Sequence, residues 1–195
     1  MLTQDLLHPY QQKAVTWQCD KPNSAVFMDM GLGKSVVTLT SMVNLLNSGF
    51  LMGVLIIAPV RVVRLVWRQE AVKWEHTKHL SFSTMVGTKD QRTRALLRDA
   101  DVHMINYENM GWLAEMLNTY YISKGKPLPF NGVVFDELSK MKNSTTRRVK
   151  SFMKIHNHFH WTTGLTGTPA SNGYKDLHGQ FLVLDGGQRL GRYKT

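Results

Sequence analysis

The segment Met28-Asp29-Met30-Gly31-Leu32-Gly33-Lys34-Ser35 constrains the fold more than any other, because its chemistry works only at a strand–turn–helix corner. It follows a short apolar run, Ser24–Phe27, that reads as a buried strand, and it leads into Val36–Leu46, which reads as a helix. Two glycines flanking Leu32 let the backbone approach a phosphate closely, with successive N–H groups aimed at its oxygens. The helix N-terminus adds partial positive charge. In this reading the stretch from Met30 to Ser35 cradles the phosphates of ATP, Lys34 reaches the β- and γ-phosphates, and the Ser35 hydroxyl ligates Mg²⁺. The pattern G-x-x-x-x-G-K-[ST] has Met28 where it asks for its first glycine. The competing reading is a chance Gly-Lys-Ser at an ordinary corner.

A second segment favours the nucleotide reading. Val133-Val134-Phe135-Asp136-Glu137 is an apolar run that ends abruptly in two carboxylates. At the C-terminal end of a parallel strand, Asp136 is expected to hold the Mg²⁺ that Ser35 also touches, through water, and Glu137 to orient and deprotonate the attacking water. A strand that ends in solvated acids explains the pair alone. It does not explain a phosphate loop and an acidic strand end in one chain.

Strand-like runs alternate with helical ones along the chain. Val54–Ala58, Leu80–Val86, Val102–Asn106, Val133–Asp136 and Trp161–Leu165 read as strands. Val60–Trp74, Lys89–Arg98, Glu108–Tyr121 and Thr145–Ile155 read as helices. Continuous apolar strands alternating with helices predict an α/β fold, a mainly parallel sheet covered on both faces. Ligands in such sheets bind outside the carboxyl ends of the strands, where both proposed ATP elements fall. A length of 195 residues is most economically one domain.

Composition narrows the partners. Lys and Arg number 24 against 14 Asp and Glu, a net +10, which favours an anionic partner, with nucleic acid first and an anionic membrane surface second. The single cysteine, Cys19, rules out an internal disulfide framework and fits a reducing cytosol. No apolar run reaches the length of a membrane span and no signal peptide is indicated, so a soluble cytoplasmic protein is expected.

Three further constellations bear on function. Gln11, in Leu7–Trp17 ahead of the phosphate loop, carries an amide that matches the adenine N6/N7 edge and would select ATP over GTP; alone, the stretch is a short amphipathic helix. Thr166-Gly167-Thr168 ends a strand in small hydroxyl residues that could bond the acidic site and transmit the state of the γ-phosphate, or simply cap a turn. Lys140, Lys142, Arg147, Arg148, Lys150 and Lys154 follow the acidic pair, and with Arg61, Arg64 and Arg68 they could form a stripe along a nucleic-acid backbone. Singly, each is a solvated surface charge. His156, His158 and His160 alternate without a nearby cysteine or acidic pair and read as a polar connection rather than a metal site. Trp67 and Trp74 read as core residues on one helix face.

In order, these motifs resemble the first RecA-like lobe of superfamily 2 helicases, and most closely the Snf-type DNA translocases, over about Leu7 to Leu184. Leu7…Tyr10-Gln11…Val15…Trp17 is similar to the adenine-recognition motif, and Asp29 to Ser35 to the first ATPase motif. Ile56-Ile57-Ala58-Pro59 with Trp67…Glu70…Lys73-Trp74 resembles the next motif, which in the family adjoins the DNA path. Asn106-Tyr107-Glu108 is similar to a short S-Y-E element, Asp136–Asn143 to D-E-A-H-x-x-K-N, and Leu165–Pro169 with Asn172 to L-T-G-T-P-x-x-N. Leu138-Ser139 depart from Ala-His, a variant similar to short Snf-type helicases of bacteriophages. The resemblance implies the N-terminal ATP-binding lobe of an ATP-dependent double-stranded DNA translocase, with ATP and Mg²⁺ as cofactors. Alternatives are a strand-separating DNA or RNA helicase lobe and a non-hydrolysing ATP-binding regulatory module, against which Glu137 argues. The family continues into a second RecA-like lobe, in cis or trans, that supplies an arginine finger worth about 10³–10⁵-fold in rate. Residues 1–195 alone are therefore expected to turn over ATP barely above background.

Overall fold

The structure is a computed structural model that describes residues 1–171 and 173–192. Its chain order is α1 (Pro9–Asp20), β1 (Asn23–Phe27), α2 (Lys34–Asn47), β2 (Val54–Ala58), α3 (Val60–Ala71), β3 (Phe82–Met85), α4 (Lys89–Leu96), β4 (Val102–Asn106), α5 (Met110–Tyr120), β5 (Gly132–Asp136), α6 (Arg147–Met153), β6 (Trp161–Thr166) and α7 (Lys175–Asp185). The six strands form one sheet in the order β1-β6-β5-β2-β4-β3, and every pairing is parallel.

Each central strand is apolar throughout because helices cover both faces. Along β2, Leu55 and Ile57 join Leu113 and Leu117 of α5, Phe152 of α6 and Val183 of α7 in one core. Val54, Ile56 and Ala58 face the other way, against Leu39 and Met42 of α2 and Val63 and Trp67 of α3. A smaller cluster, Leu7, Val15, Val36, Val37 and Trp74, packs α1 onto α2.

Three details differ from the sequence-based expectations. Helix α3 ends at Ala71, not Trp74, because the Thr77 hydroxyl takes the Ala71 carbonyl at 2.7 Å and turns the chain. Trp74 thus leaves the face it was expected to share with Trp67 and enters the α1–α2 cluster. The segment after β4 begins with a 3-10 turn, Tyr107–Asn109, before α5 starts at Met110. Helix α7 has no strong apolar period, and Gly179 within it looks like a breaker. Its missing Cβ is the reason it fits, since a methyl there would collide with the Met141 and Lys142 carbonyls.

The strand order matters most for function. Between them β5 and β6 fill the space between β2 and β1, so the C-terminal ends of β1, β6 and β5 lie side by side, with Phe27 opposite Thr166 and Leu165 opposite Asp136.

Candidate nucleotide site

The phosphate loop leaves β1 at Phe27 and enters α2 at Lys34. Gly31 and Gly33 take φ of 84° and 81°, the left-handed region glycine reaches without cost, and that turns the backbone N–H groups of the loop into a concave nest. Among the described residues Glu137 is the one non-glycine with positive φ, so Met28 has an ordinary backbone conformation. That is why a side chain is tolerated where the usual pattern has glycine. The Lys34 ammonium spans the loop, donating to the Met28 carbonyl at 2.7 Å and the Asp29 carbonyl at 2.8 Å. Ser35 follows in the first turn of α2, partly buried, while Met30 and Leu32 stand exposed on the loop. Open left-handed glycines, a lysine across the mouth and a hydroxyl at the helix N-terminus fit a nucleotide phosphate.

Gln11 is buried, and its amide is engaged at both ends. Its Oε1 accepts from the His8 N–H at 2.9 Å and its Nε2 donates to the Leu32 carbonyl at 3.2 Å. The Tyr10 hydroxyl reaches the same carbonyl at 3.4 Å. In this ligand-free geometry Gln11 therefore braces the loop. A cleft of about 560 Å³, lined by Tyr10, Ala14, Trp17, Phe27 and Met28, lies between α1 and β1.

Asp136 closes β5, and its carboxyl Oδ2 accepts a hydrogen bond from the fully buried Trp67 indole at 2.9 Å. Burial pushes this carboxyl up to about 6, and nearby Glu137 adds to the shift; the Trp67 bond and the positive charge of Lys34 oppose it. A desolvated carboxyl facing a phosphate loop is a fitting partner for a divalent cation. Glu137, at φ 66°, is held in the left-handed region. The buried Tyr107 hydroxyl clamps that turn by donating to the carbonyls of Asp136 at 2.8 Å and Glu137 at 3.1 Å. Burial, then the two neighbouring carboxylates, raises the Tyr107 phenol well above its usual value, so it stays a neutral donor.

Two hydroxyls converge on Glu137 Oε1, from Ser139 at 2.6 Å and Thr166 at 2.9 Å. Thr166 in turn accepts from the Thr168 backbone N–H at 3.1 Å, across Gly167. Lys34, Asp136, Glu137 and Thr166 thus meet at the ends of adjacent strands. Trp67, Tyr107 and Ser139 were not read from the sequence as site residues. Trp67 looked like core and Ser139 like a departure from a pattern. One signal was available for Trp67: a buried indole N–H needs an acceptor.

The basic residues divide into two groups. Arg61 and Arg64 are exposed on α3, on one sheet face, while Arg68 is tied to the Phe82 carbonyl at 2.9 Å and the Thr84 hydroxyl at 3.1 Å. Arg147 and Arg148 open α6 on the other face, with the Arg148 guanidinium 6.0 Å above the Tyr107 ring. Arg147, Lys150 and Lys154 line a cleft of about 900 Å³ with Gly111, Glu115 and Ser151. Lys140 is exposed just past the acidic pair, and Lys142 pairs with Asp176 at 3.5 Å. Asn172, the last member of the motif beginning at Leu165, lies outside the described residues. His156 packs edge-on against Phe152 and His160 meets the Asn131 amide, and no group of three His, Cys, Asp or Glu that could hold a metal occurs among the described residues.

Comparison with known proteins agrees with this arrangement. The chain is 36% identical over 191 residues to protein p41 of Acyrthosiphon pisum secondary endosymbiont phage 1, covering 94% of this chain and 40% of that protein. It is 29% identical over 168 residues to the human DNA excision repair protein ERCC-6-like, covering 86% of this chain and 13% of that one. The fold superposes on the Sulfolobus solfataricus SWI2/SNF2 ATPase core, solved in complex with dsDNA, with a TM-score of 0.74 and 26% identity, over 93% of this chain and 36% of that one. The chain therefore spans well under half the length of these relatives. The model of the SNF2-related domain matches residues 10–188, and the chain belongs to that family.

Proposed function

We propose that residues 1–195 are a single RecA-like ATP-binding domain, the N-terminal lobe of an ATP-dependent double-stranded DNA translocase of Snf type. One observation carries the reading: a lysine-bearing phosphate loop, an acidic pair and a hydroxyl strand end converge on adjacent parallel strands. In this reading the N–H groups from Met30 to Ser35 and the Lys34 ammonium bind the phosphates, and Gln11 exchanges its bond to Leu32 for the adenine edge. Ser35 and Asp136 hold Mg²⁺, which when bound neutralises charge on the phosphate oxygens. Glu137, oriented through Oε1 by Ser139 and Thr166, accepts the proton of the attacking water. Thr166, Gly167 and Thr168 link this acid to the end of β6. Lys140, Lys142, Arg147, Arg148 and Lys150, with Arg61 and Arg64, supply the contacts to DNA phosphates.

The length of the relatives supports a second RecA-like lobe as partner, and the dsDNA bound by the Sulfolobus core supports a duplex substrate. The phage relative p41 supports a site of action in the cytosol of a phage-infected cell. Among the described residues no helix is long and apolar enough to cross a membrane.

Calorimetric titration with a nonhydrolysable ATP analogue and Mg²⁺ tests the reading. Lys34→Ala removes a charge-assisted contact worth about 1.5–3 kcal/mol, so affinity should fall by about tenfold or more. Unchanged affinity in a folded variant rules out the phosphate-loop assignment. Tighter binding of single strands than of duplex would favour a strand-separating helicase instead.

A further inference from the structure

The indole of Trp67 has no solvent exposure, and its N–H is spent on one atom, Oδ2 of Asp136, at 2.9 Å. Trp67 lies on α3 and Asp136 ends β5, so the bond joins two elements that approach only through the tertiary fold. The Glu137 backbone N–H and the Lys34 charge also act on this carboxyl, and the Tyr107 hydroxyl fixes the Asp136 carbonyl behind it. The carboxylate is therefore pinned in rotation: one oxygen faces the indole, and the other is the one left to offer a cation.

We propose that Trp67 is a positioning residue that presents Asp136 as a single-oxygen ligand and so biases the nucleotide site toward Mg²⁺ and against Ca²⁺. This rests on the reading of Asp136 as a holder of the metal. The physical reason is coordination chemistry. Mg²⁺ demands near-octahedral geometry, retains several waters and is served by single carboxylate oxygens, whereas Ca²⁺ accepts six to eight oxygens and bidentate carboxylates. A carboxylate with one oxygen held by a rigid buried donor cannot swing to present both. Partners that orient a metal ligand commonly contribute 10–100-fold to metal affinity.

The test uses Trp67→Phe, which keeps a buried aromatic ring and deletes the donor. Affinity for a nonhydrolysable ATP analogue is measured calorimetrically without metal, with Mg²⁺ and with Ca²⁺, on the parent, Trp67→Phe and Asp136→Asn. Far-UV circular dichroism and urea denaturation confirm the fold of each. The expected result is that Trp67→Phe leaves metal-free affinity unchanged and weakens the Mg²⁺-dependent part by about tenfold. It should weaken the Ca²⁺-dependent part less, so the preference for Mg²⁺ narrows. In a ¹⁵N-indole spectrum of the parent, one resonance absent from Trp67→Phe should shift when the Mg²⁺ complex forms.

A parent whose affinity ignores Mg²⁺, or an Asp136→Asn variant that keeps full Mg²⁺ dependence, overturns the metal assignment and this inference with it. A parent and Asp136→Asn that behave as expected, beside a folded Trp67→Phe with the parent's Mg²⁺ dependence and selectivity, overturn the role of Trp67 alone. Should Trp67→Phe fail to fold, the parent decides by its own signals. A Trp67 indole resonance, assigned through its contacts to α3 neighbours, that stays unmoved on forming the Mg²⁺ complex overturns the proposal, and one that shifts supports it.

Discussion

Asp136 should make the ligand-free fold less stable than it would be with a neutral side chain, and Asp136→Asn measures by how much. The carboxyl ionises at 3.8 when exposed and at about 6 in the folded chain, because burial outweighs the help of the Trp67 bond and the Lys34 charge. At about 1.4 kcal/mol per pH unit, the difference is a cost of about 3 kcal/mol whenever the group is charged in the native state. The sign follows from proton counts. Between pH 3.8 and about 6 the native chain holds a proton that the unfolded chain has lost, so stability falls as pH rises through that window and levels off above it. The asparagine side chain cannot ionise, and its amide oxygen can still accept from Trp67. Urea denaturation of the metal-free chain in chelator should find Asp136→Asn more stable than the parent by about 3 kcal/mol at pH 8, with the gap closing as pH falls through 6 toward 4. Comparing the two proteins cancels every other titrating group. A variant no more stable than the parent at pH 8, or a gap that does not change with pH, would refute the argument that burial strains this carboxyl. The same substitution should remove Mg²⁺-dependent nucleotide affinity, a trade of function for stability common at active sites.

Other perturbations follow from the same geometry. Glu137→Gln should bind the ATP analogue with Mg²⁺ as the parent does yet lose hydrolysis when both lobes are present, as phosphate release would show; normal turnover would place the water-activating carboxylate elsewhere. Gly33→Ala meets a φ of 81° and drives a methyl into the Gln11 amide, so thermal unfolding should report a loss of about 1–3 kcal/mol together with weaker nucleotide binding. Neutralising Arg147 and Arg148 together should flatten the log–log salt dependence of duplex binding by about one to two. A double variant with the parent's slope would return both arginines to ordinary surface charges.

Local information settled much of this protein. The apolar runs at Val54–Ala58, Val102–Asn106 and Val133–Asp136 are strands in the structure because a segment that is apolar on both faces has no stable place but the middle of a covered sheet. The loop from Met28 to Ser35 was equally legible, since glycine spacing and a following helix are properties of neighbouring residues. The order of the strands was not local, and the site depends on it. Only with β6 and β5 inserted between β1 and β2 do Lys34, Thr166, Asp136 and Glu137 come to one edge. The bonds that tune the acids were equally hidden: Trp67 to Asp136 and Tyr107 to the Glu137 turn join residues far apart in sequence, and no periodicity records them. The left-handed backbone at Glu137 belongs to the same class, because no local preference puts a glutamate there; it is held by Tyr107, Ser139 and Thr166 from three other places in the fold. Sequence determined which groups are available for the chemistry. Packing decided which of them meet, and with what charge.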